Sequence, residues 1–196
     1  MAGRARYTAL LDACVLYPLA MADSLMSVAA TSLYAAKWTL HIEREWMNAL
    51  VRNRPDLAGR LEPRRDAMRD AVPDWEVAES TWRSFAEGEV MRGMPDPGDV
   101  HVLAAAIGGH ADCIVTSNLK HFPEAIVSQF GIEVIDPDRF LIHQWDLDAI
   151  TVIAAFKRMR ARWRKPQASA EDFASAMERG GLPATALRLR EAAELI

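Results

Sequence analysis

The chain is poor in cysteine: 196 residues contain two, and neither belongs to a CxxC or Cys/His pattern. That spacing rules out a zinc–thiolate site of the usual kind. Cys14 and Cys113 each lie inside an apolar run, so both are expected to be buried packing residues. Long apolar stretches are missing as well. No window approaches the roughly 18 to 20 uninterrupted apolar residues of a membrane span, and the first residues lack the charge-then-apolar order of a secretory leader. The expectation is a globular cytoplasmic protein without a membrane partner. No glycine-rich phosphate turn follows any apolar run, which argues against a nucleotide- or dinucleotide-binding enzyme. Repeats and low-complexity tracts are absent.

Excess basic charge is also missing. The formal net charge is −4, with residues 1–144 holding 14 basic and 20 acidic groups and residues 145–196 holding 9 and 7. A carboxylate-rich body therefore carries a mildly basic tail. Such a balance argues against wrapping nucleic acid by charge alone, but not against local contact through a metal and a few arginines. With 51% apolar and 26% charged residues, the chain can build one sizeable core plus an extension.

The sequence is organised around residues 93–118, GMPDPGDVHVLAAAIGGHADCIVTSN. Pro95 and Pro97 hold an extended turn, and Asp96 or Asp99 can cap a helix with an apolar face from Val102 to Ile107. Gly108 and Gly109 end that helix, and Cys113 to Val115 reads as a strand buried on both faces. Thr116, Ser117 and Asn118 follow its carboxyl end, where parallel α/β sheets bind ligands. Earlier, ALLDACVLYP places Asp12 where another buried strand stops. A carboxylate there needs a hydrogen bond, an ion pair or a metal.

The remaining pattern alternates strand and helix. The expectations are a helix from Pro18 to about Tyr34, a second over residues 41–51, and a charged helix over 56–71 kinked or broken at Pro63. A short strand is expected at 74–77, with another at 132–135. The apolar face of the 18–34 helix suits a core or a homodimer. On the second helix, Glu45 flanks the apolar stripe and can reach toward Asp12, whereas Glu43 reads as solvated. Arg60, Arg64, Arg65 and Arg69 read as a solvated face, with a nucleic-acid contact as the alternative. From Trp145 onward only helices are expected, the first running from Asp146 to about Lys165. Six basic residues between 157 and 165 can hold RNA phosphates, through Arg160, Arg162 and Arg164, or simply favour a helix C-terminus. The expected fold is a three-layer α/β/α domain over residues 1–144 with a central parallel sheet, followed by a helical extension over 145–196.

Asp12, Glu45, Asp96, Asp99 and Asn118 would converge at one sheet edge. Hard oxygen donors select magnesium or manganese, and a cation would let neighbouring carboxylates coexist. An aspartyl-nucleophile phosphohydrolase fits less well, because the second aspartate expected two residues after Asp12 is Cys14.

ALLDACVLYP, the later EW, MPDPGDVHVLAAA and ADCIVTSNLKHFP together resemble the PIN-domain family over about residues 7–142. These are metal-dependent ribonucleases that include the VapC toxins of bacterial toxin–antitoxin pairs. The resemblance implies an Mg2+- or Mn2+-dependent endoribonuclease with Asp12, Glu45 and Asp99 as catalytic, metal-holding residues. It adds Asp96 as a further carboxylate, Thr116 as a positioning residue and Asn118 where many members have aspartate. It also implies an RNA substrate and a cognate antitoxin that inserts a segment into the site. The competing reading is a catalytically inactive PIN-like scaffold that binds RNA or protein.

Overall fold

A computed structural model describes residues 6–163 and 168–196. Arg164, one of the three arginines expected to meet substrate, lies outside the described residues. The first apolar run forms β1 (Thr8–Leu11), which is joined by β2 (Ala35–Lys37), β3 (Cys113–Val115) and β4 (Glu133–Ile135). All pairings are parallel and the order is β2-β1-β3-β4. Successive strand side chains point to opposite faces, yet Ala9, Leu10 and Leu11 are all fully buried, as are Cys113, Ile114 and Val115. Both faces of the sheet are therefore covered, giving the α/β/α layering that the PIN-like resemblance implies. The chain leaves β1 toward β2 on one side and returns to β3 on the other. That reversal opens a crevice between the carboxyl ends of β1 and β3, the position at which such sheets bind ligands.

Five helices lie between β1 and the α6–β3 unit. They are α1 (Ala13–Leu16), α2 (Leu19–Ala29), α3 (Leu40–Asn53), α4 (Glu62–Ala71) and α5 (Glu79–Ala86). The helix expected to reach Tyr34 stops at Ala29. There Thr31 donates its hydroxyl back to the Val28 carbonyl at 2.6 Å, and Ser32 takes φ +67°, which turns the chain into β2. β2 was not expected, because Ala-Ala-Lys has no β-branched residue. The strand expected at 74–77 reduces to one bridge between Trp38 and Glu76. Pro63 lies in the first turn of α4, where its missing N–H costs nothing, so it opens the helix rather than breaking it.

Three charged residues expected in solvent are built into the core wall. Glu43 is buried and forms a two-point ion pair with Arg69, Oε1 to Nη2 at 2.6 Å and Oε2 to Nε at 3.0 Å. Arg69 in turn lies 4.6 Å over the Trp75 ring. Arg64 lies 4.7 Å over Trp46 and donates to the Leu16 and Tyr17 carbonyls. Burial pulls its pKa down to about 10. Both arginines are held by aromatic rings and acceptors, so neither a solvated face nor a nucleic-acid contact describes them.

α6 (Val100–Gly108) packs against α5 and leads into β3, and α7 (Glu124–Val127) precedes β4. Then α8 (Pro137–Leu147), α9 (Ala149–Ala161), α10 (Ala170–Arg179) and α11 (Pro183–Glu191) follow. The single helix expected from Asp146 is interrupted at Asp148, whose φ of −153° is not helical. Its carboxylate caps α9 by accepting from the Thr151 N–H at 3.0 Å and hydroxyl at 2.7 Å. The tail is not loosely attached. Phe156, Met159, Phe173 and Met177 are fully buried, and α9 and α10 both contact α2. The apolar residues Met21, Ala22, Leu25 and Met26 of α2 are thereby covered within the chain. Among the described residues, no helix is long and apolar enough to cross a membrane.

Candidate active site

Asp12 is the residue after β1, and its N–H extends the ladder by donating to the Val115 carbonyl at 3.1 Å. This places a carboxylate beside the end of β3, with 4% of its surface exposed. The group is held by neighbours. Oδ2 accepts the Thr116 hydroxyl at 2.6 Å and the Cys14 thiol at 3.1 Å, while among the described residues Oδ1 accepts no hydrogen bond. Thr116 Oγ1 accepts from the Asn118 N–H at 3.0 Å, and Cys14 Sγ accepts from the Ser117 N–H at 3.2 Å. The turn after β3 is thus locked onto the end of β1. Burial, together with the adjacent Asp12 charge, pushes the Cys14 thiol up to about 12. It is protonated at neutral pH and can donate to Asp12. The expectation that Cys14 is a buried packing residue is corrected: it is half-buried and lines the cleft.

Asp99 enters from the start of α6. Its Oδ2 meets His121 Nδ1 at 2.6 Å, and Asp96 Oδ2 lies 3.8 Å from the same nitrogen. Asp96 Oδ1 accepts from the Gly98 N–H at 2.8 Å and so caps the short 3-10 turn Pro97–Asp99, whereas Asp99 stands at the N-cap of α6 without a side-chain cap bond, so neither aspartate caps α6 as expected. Burial raises the Asp99 carboxyl above the usual range, and the charges of Asp12 and Asp96 add to that rise against the opposing His121 hydrogen bond.

Glu45 comes from α3. Its Oε1 lies 3.0 Å from His101 Nε2 and 3.6 Å from His41 Nε2. Burial, with the His101 charge, lowers the His41 pKa. Asp12, Cys14, Glu45, Arg52, Asp99 and Asn118 together line one cleft of about 500 Å3 at the carboxyl ends of β1 and β3. Thr116 stands behind it on Asp12, and Asp96 lies to the side on His121.

Of the arginines proposed for substrate, the two described, Arg160 and Arg162, are elsewhere. Arg162 pairs with Asp23 at 2.5 Å and meets Ser27 at 3.1 Å, and neither it nor the half-buried Arg160 lines this cleft. Arg52, which does line it, was not singled out from sequence, and neither were His41, His101 and His121. Arg52 had a signal: it lies seven residues after Glu45, two helical turns along the same face. His41 had one too, four residues before Glu45 on the same helix, whereas His101 and His121 had little, because their partners come from other elements.

A parallel sheet whose central strands end in a carboxylate-lined cleft, with a helical C-terminal region packed on it, defines a PIN-like α/β/α protein. Comparison with known proteins gives a partial likeness to proteins named VapC50. Residues 137–191 match the family described as the VapC50 C-terminal domain. A Mycobacterium tuberculosis protein (strain ATCC 25618 / H37Rv) described as "Putative ribonuclease VapC50" is 51% identical over 49 residues, which are 25% of this chain and 29% of that relative. The match thus spans less than a third of the relative's length. No solved structure matches the chain.

Proposed function

We propose that the chain is a metal-dependent endoribonuclease of the VapC type, the toxin of a toxin–antitoxin pair, cleaving RNA phosphodiesters in the cleft lined by Asp12, Glu45 and Asp99. The observation that carries this reading is the convergence of these three carboxylates from β1, α3 and α6 on one cleft at the switch point of the sheet. The likeness to a protein described as a ribonuclease supports the same reaction class. A scaffold that only bound RNA or protein would gain stability by losing neighbouring carboxylates.

The donor set fits a hard divalent cation. Carboxylate oxygens of Asp12, Glu45 and Asp99, the Asn118 amide oxygen and the nearby Asp96 carboxylate suit Mg2+ or Mn2+, and the charges of Asp12 and Asp96, which add to burial in raising the Asp99 carboxyl, are ones a cation would compensate. When bound, such an ion lowers the pKa of a water and stabilises charge on a phosphoryl oxygen. The protein's own groups do the positioning. Thr116 and Cys14 fix Asp12 by binding one carboxylate oxygen, leaving the other for the cleft. His121 fixes Asp99 and His101 fixes Glu45. Arg52 offers a guanidinium for a substrate phosphate. Asn118 adds an oxygen without adding charge. Arg160, Arg162 and Arg164 remain proposed contacts for RNA beyond the cleft. A cognate antitoxin is the proposed protein partner.

The test uses the full chain, purified and incubated with RNA and Mg2+ or with a chelator. Cleavage is expected with metal only, and Asp12→Asn should reduce it by well over a hundred-fold, more than the loss typical of a group that merely supports a ligand. Equal cleavage by Asp12→Asn, or cleavage that persists with the chelator, would overturn the reading.

A further inference from the structure

Beyond the acidic cleft, His41, Glu45 and His101 form a second cluster, with one potential ligand atom from each lying within 4.8 Å of the others. His41 and Glu45 are four residues apart on α3 and share a face, while His101 comes from the first turn of α6. Both imidazole Nε2 atoms approach the same carboxylate oxygen, at 3.6 Å and 3.0 Å. A tetrahedral ion with bonds of about 2.0–2.1 Å separates its ligand atoms by about 3.3–3.4 Å, a value these two distances bracket. The rings are already stacked, 28° from parallel with centroids 4.1 Å apart. One imidazole must turn out of the stack for both nitrogens to meet at one ion, and the exposed His41 ring has the room to do so.

Two more observations set this cluster apart from an ordinary buried ion pair. His101 is 9% exposed and its Nε2 is held 3.0 Å from Glu45 Oε1, so a buried imidazole nitrogen is already aimed into the cluster. His41, by contrast, has half of its side chain exposed, which leaves an entry path for an ion and an open fourth position for water. A donor set of two imidazoles and one carboxylate is softer than the all-oxygen cleft, and it selects a zinc-like transition metal over magnesium.

We propose that His41, Glu45 and His101 form a site for Zn2+ or a similar transition-metal ion, distinct from the Mg2+ cleft but sharing Glu45 with it. Occupancy would commit the Glu45 carboxylate to the zinc-like ion and take its charge from the cleft cation, so zinc would inhibit the reaction. The inhibition rests on the nuclease reading above; the binding does not.

The first measurement is Co2+ titration of the full chain without RNA, read by visible absorption. One equivalent should give intense tetrahedral ligand-field bands. They should be lost in His41→Ala, whose exposed position makes misfolding a minor concern, and in His101→Gln, but kept in Asp12→Asn and His121→Ala. No such bands would overturn the proposal, as would bands that survive His41→Ala, disappear in Asp12→Asn or His121→Ala, or show a thiolate charge-transfer feature. The second measurement is RNA cleavage in excess Mg2+ with stoichiometric Zn2+. The natural protein should slow at least about five-fold and His41→Ala should not. Cleavage unaffected by zinc in a protein that shows the bands would overturn the sharing of Glu45. Absence of cleavage under every condition, with the bands present, would count against the nuclease reading and leave the metal site standing.

Discussion

Asp99 shows how burial and neighbouring charge act on one side chain of the cleft. Burial and the neighbouring charges of Asp12 and Asp96 hold its folded-state pKa above the ordinary 3.8. The folded chain therefore binds more protons than the unfolded one between those two values. The sign follows: this contribution to stability is fully present below the unfolded pKa and is lost as pH rises through the raised one. In chelator-treated buffer, Asp99→Asn should be as stable as the natural protein or more so at pH 7, while losing RNA cleavage. The stability difference between the two should shrink on acidification through that window. Urea unfolding at several pH values measures it, and a variant less stable at pH 7 with an unchanged pH profile would make Asp99 a structural residue. Asn118 invites the opposite change. Its amide oxygen adds no charge, so Asn118→Asp should tighten Mn2+ binding in the absence of RNA on the order of ten-fold, at a cost in metal-free stability. Calorimetric titration decides this, and equal affinity in both forms would remove Asn118 from the ion's surroundings.

At the scale of elements, the clearest joint is Asp138. From the first turn of α8 its carboxylate accepts the Ala184 N–H at 2.7 Å, the Thr185 N–H at 2.8 Å and the Thr185 hydroxyl at 2.7 Å, capping α11 from another helix. The carboxylate and Thr185 are both buried. Asp138→Ala would orphan buried donors and should cost about 2–4 kcal/mol, with Asp138→Asn costing less. Urea midpoints at constant slope give the number, and a change below about 0.5 kcal/mol would defeat the assignment. This joint also shows what the sequence conceals. β1 and β3 were legible because they are unbroken apolar runs, and Asp12 and Asn118 because polar residues follow those runs directly. β2 was not, since Ala35 and Ala36 carry no strand signal and are held by pairing to β1 alone. The break at Asp148 was masked by apolar periodicity that continues on either side of it. Glu43 looked solvated because its partner, Arg69, lies 26 residues away on another helix. The carboxylates of the cleft could thus be read locally, whereas the histidines and the cysteine that position them depend on tertiary contacts.

For the whole molecule the question is how a chain of net charge −4 would hold the polyanion that the proposed function requires. The cleft supplies carboxylates and, in Arg52, a guanidinium; Lys157, Arg158 and Arg160 lie on α9, and Arg162, just past its end, is tied to Asp23 of α2. Each phosphate neutralised on a single strand contributes about 0.7 to the slope of log affinity against log salt. The natural protein should therefore show a shallow slope, and Arg52→Gln should reduce it by about that amount. Contacts by Arg160 and Arg162 outside the cleft predict a further, additive reduction in the double variant Arg160→Gln, Arg162→Gln. Single-turnover cleavage at saturating RNA should be unchanged there, because these groups lie away from the carboxylates. Binding of a fluorescent RNA to Asp12→Asn, measured across a salt series, separates the two contributions without cleavage. A slope unaffected by Arg52→Gln would remove that residue from the substrate path. A slope unaffected by the double variant would restrict Arg162 to its ion pair with Asp23, making the tail a packing element of α2 and leaving the local field of the cleft to bring RNA to the site.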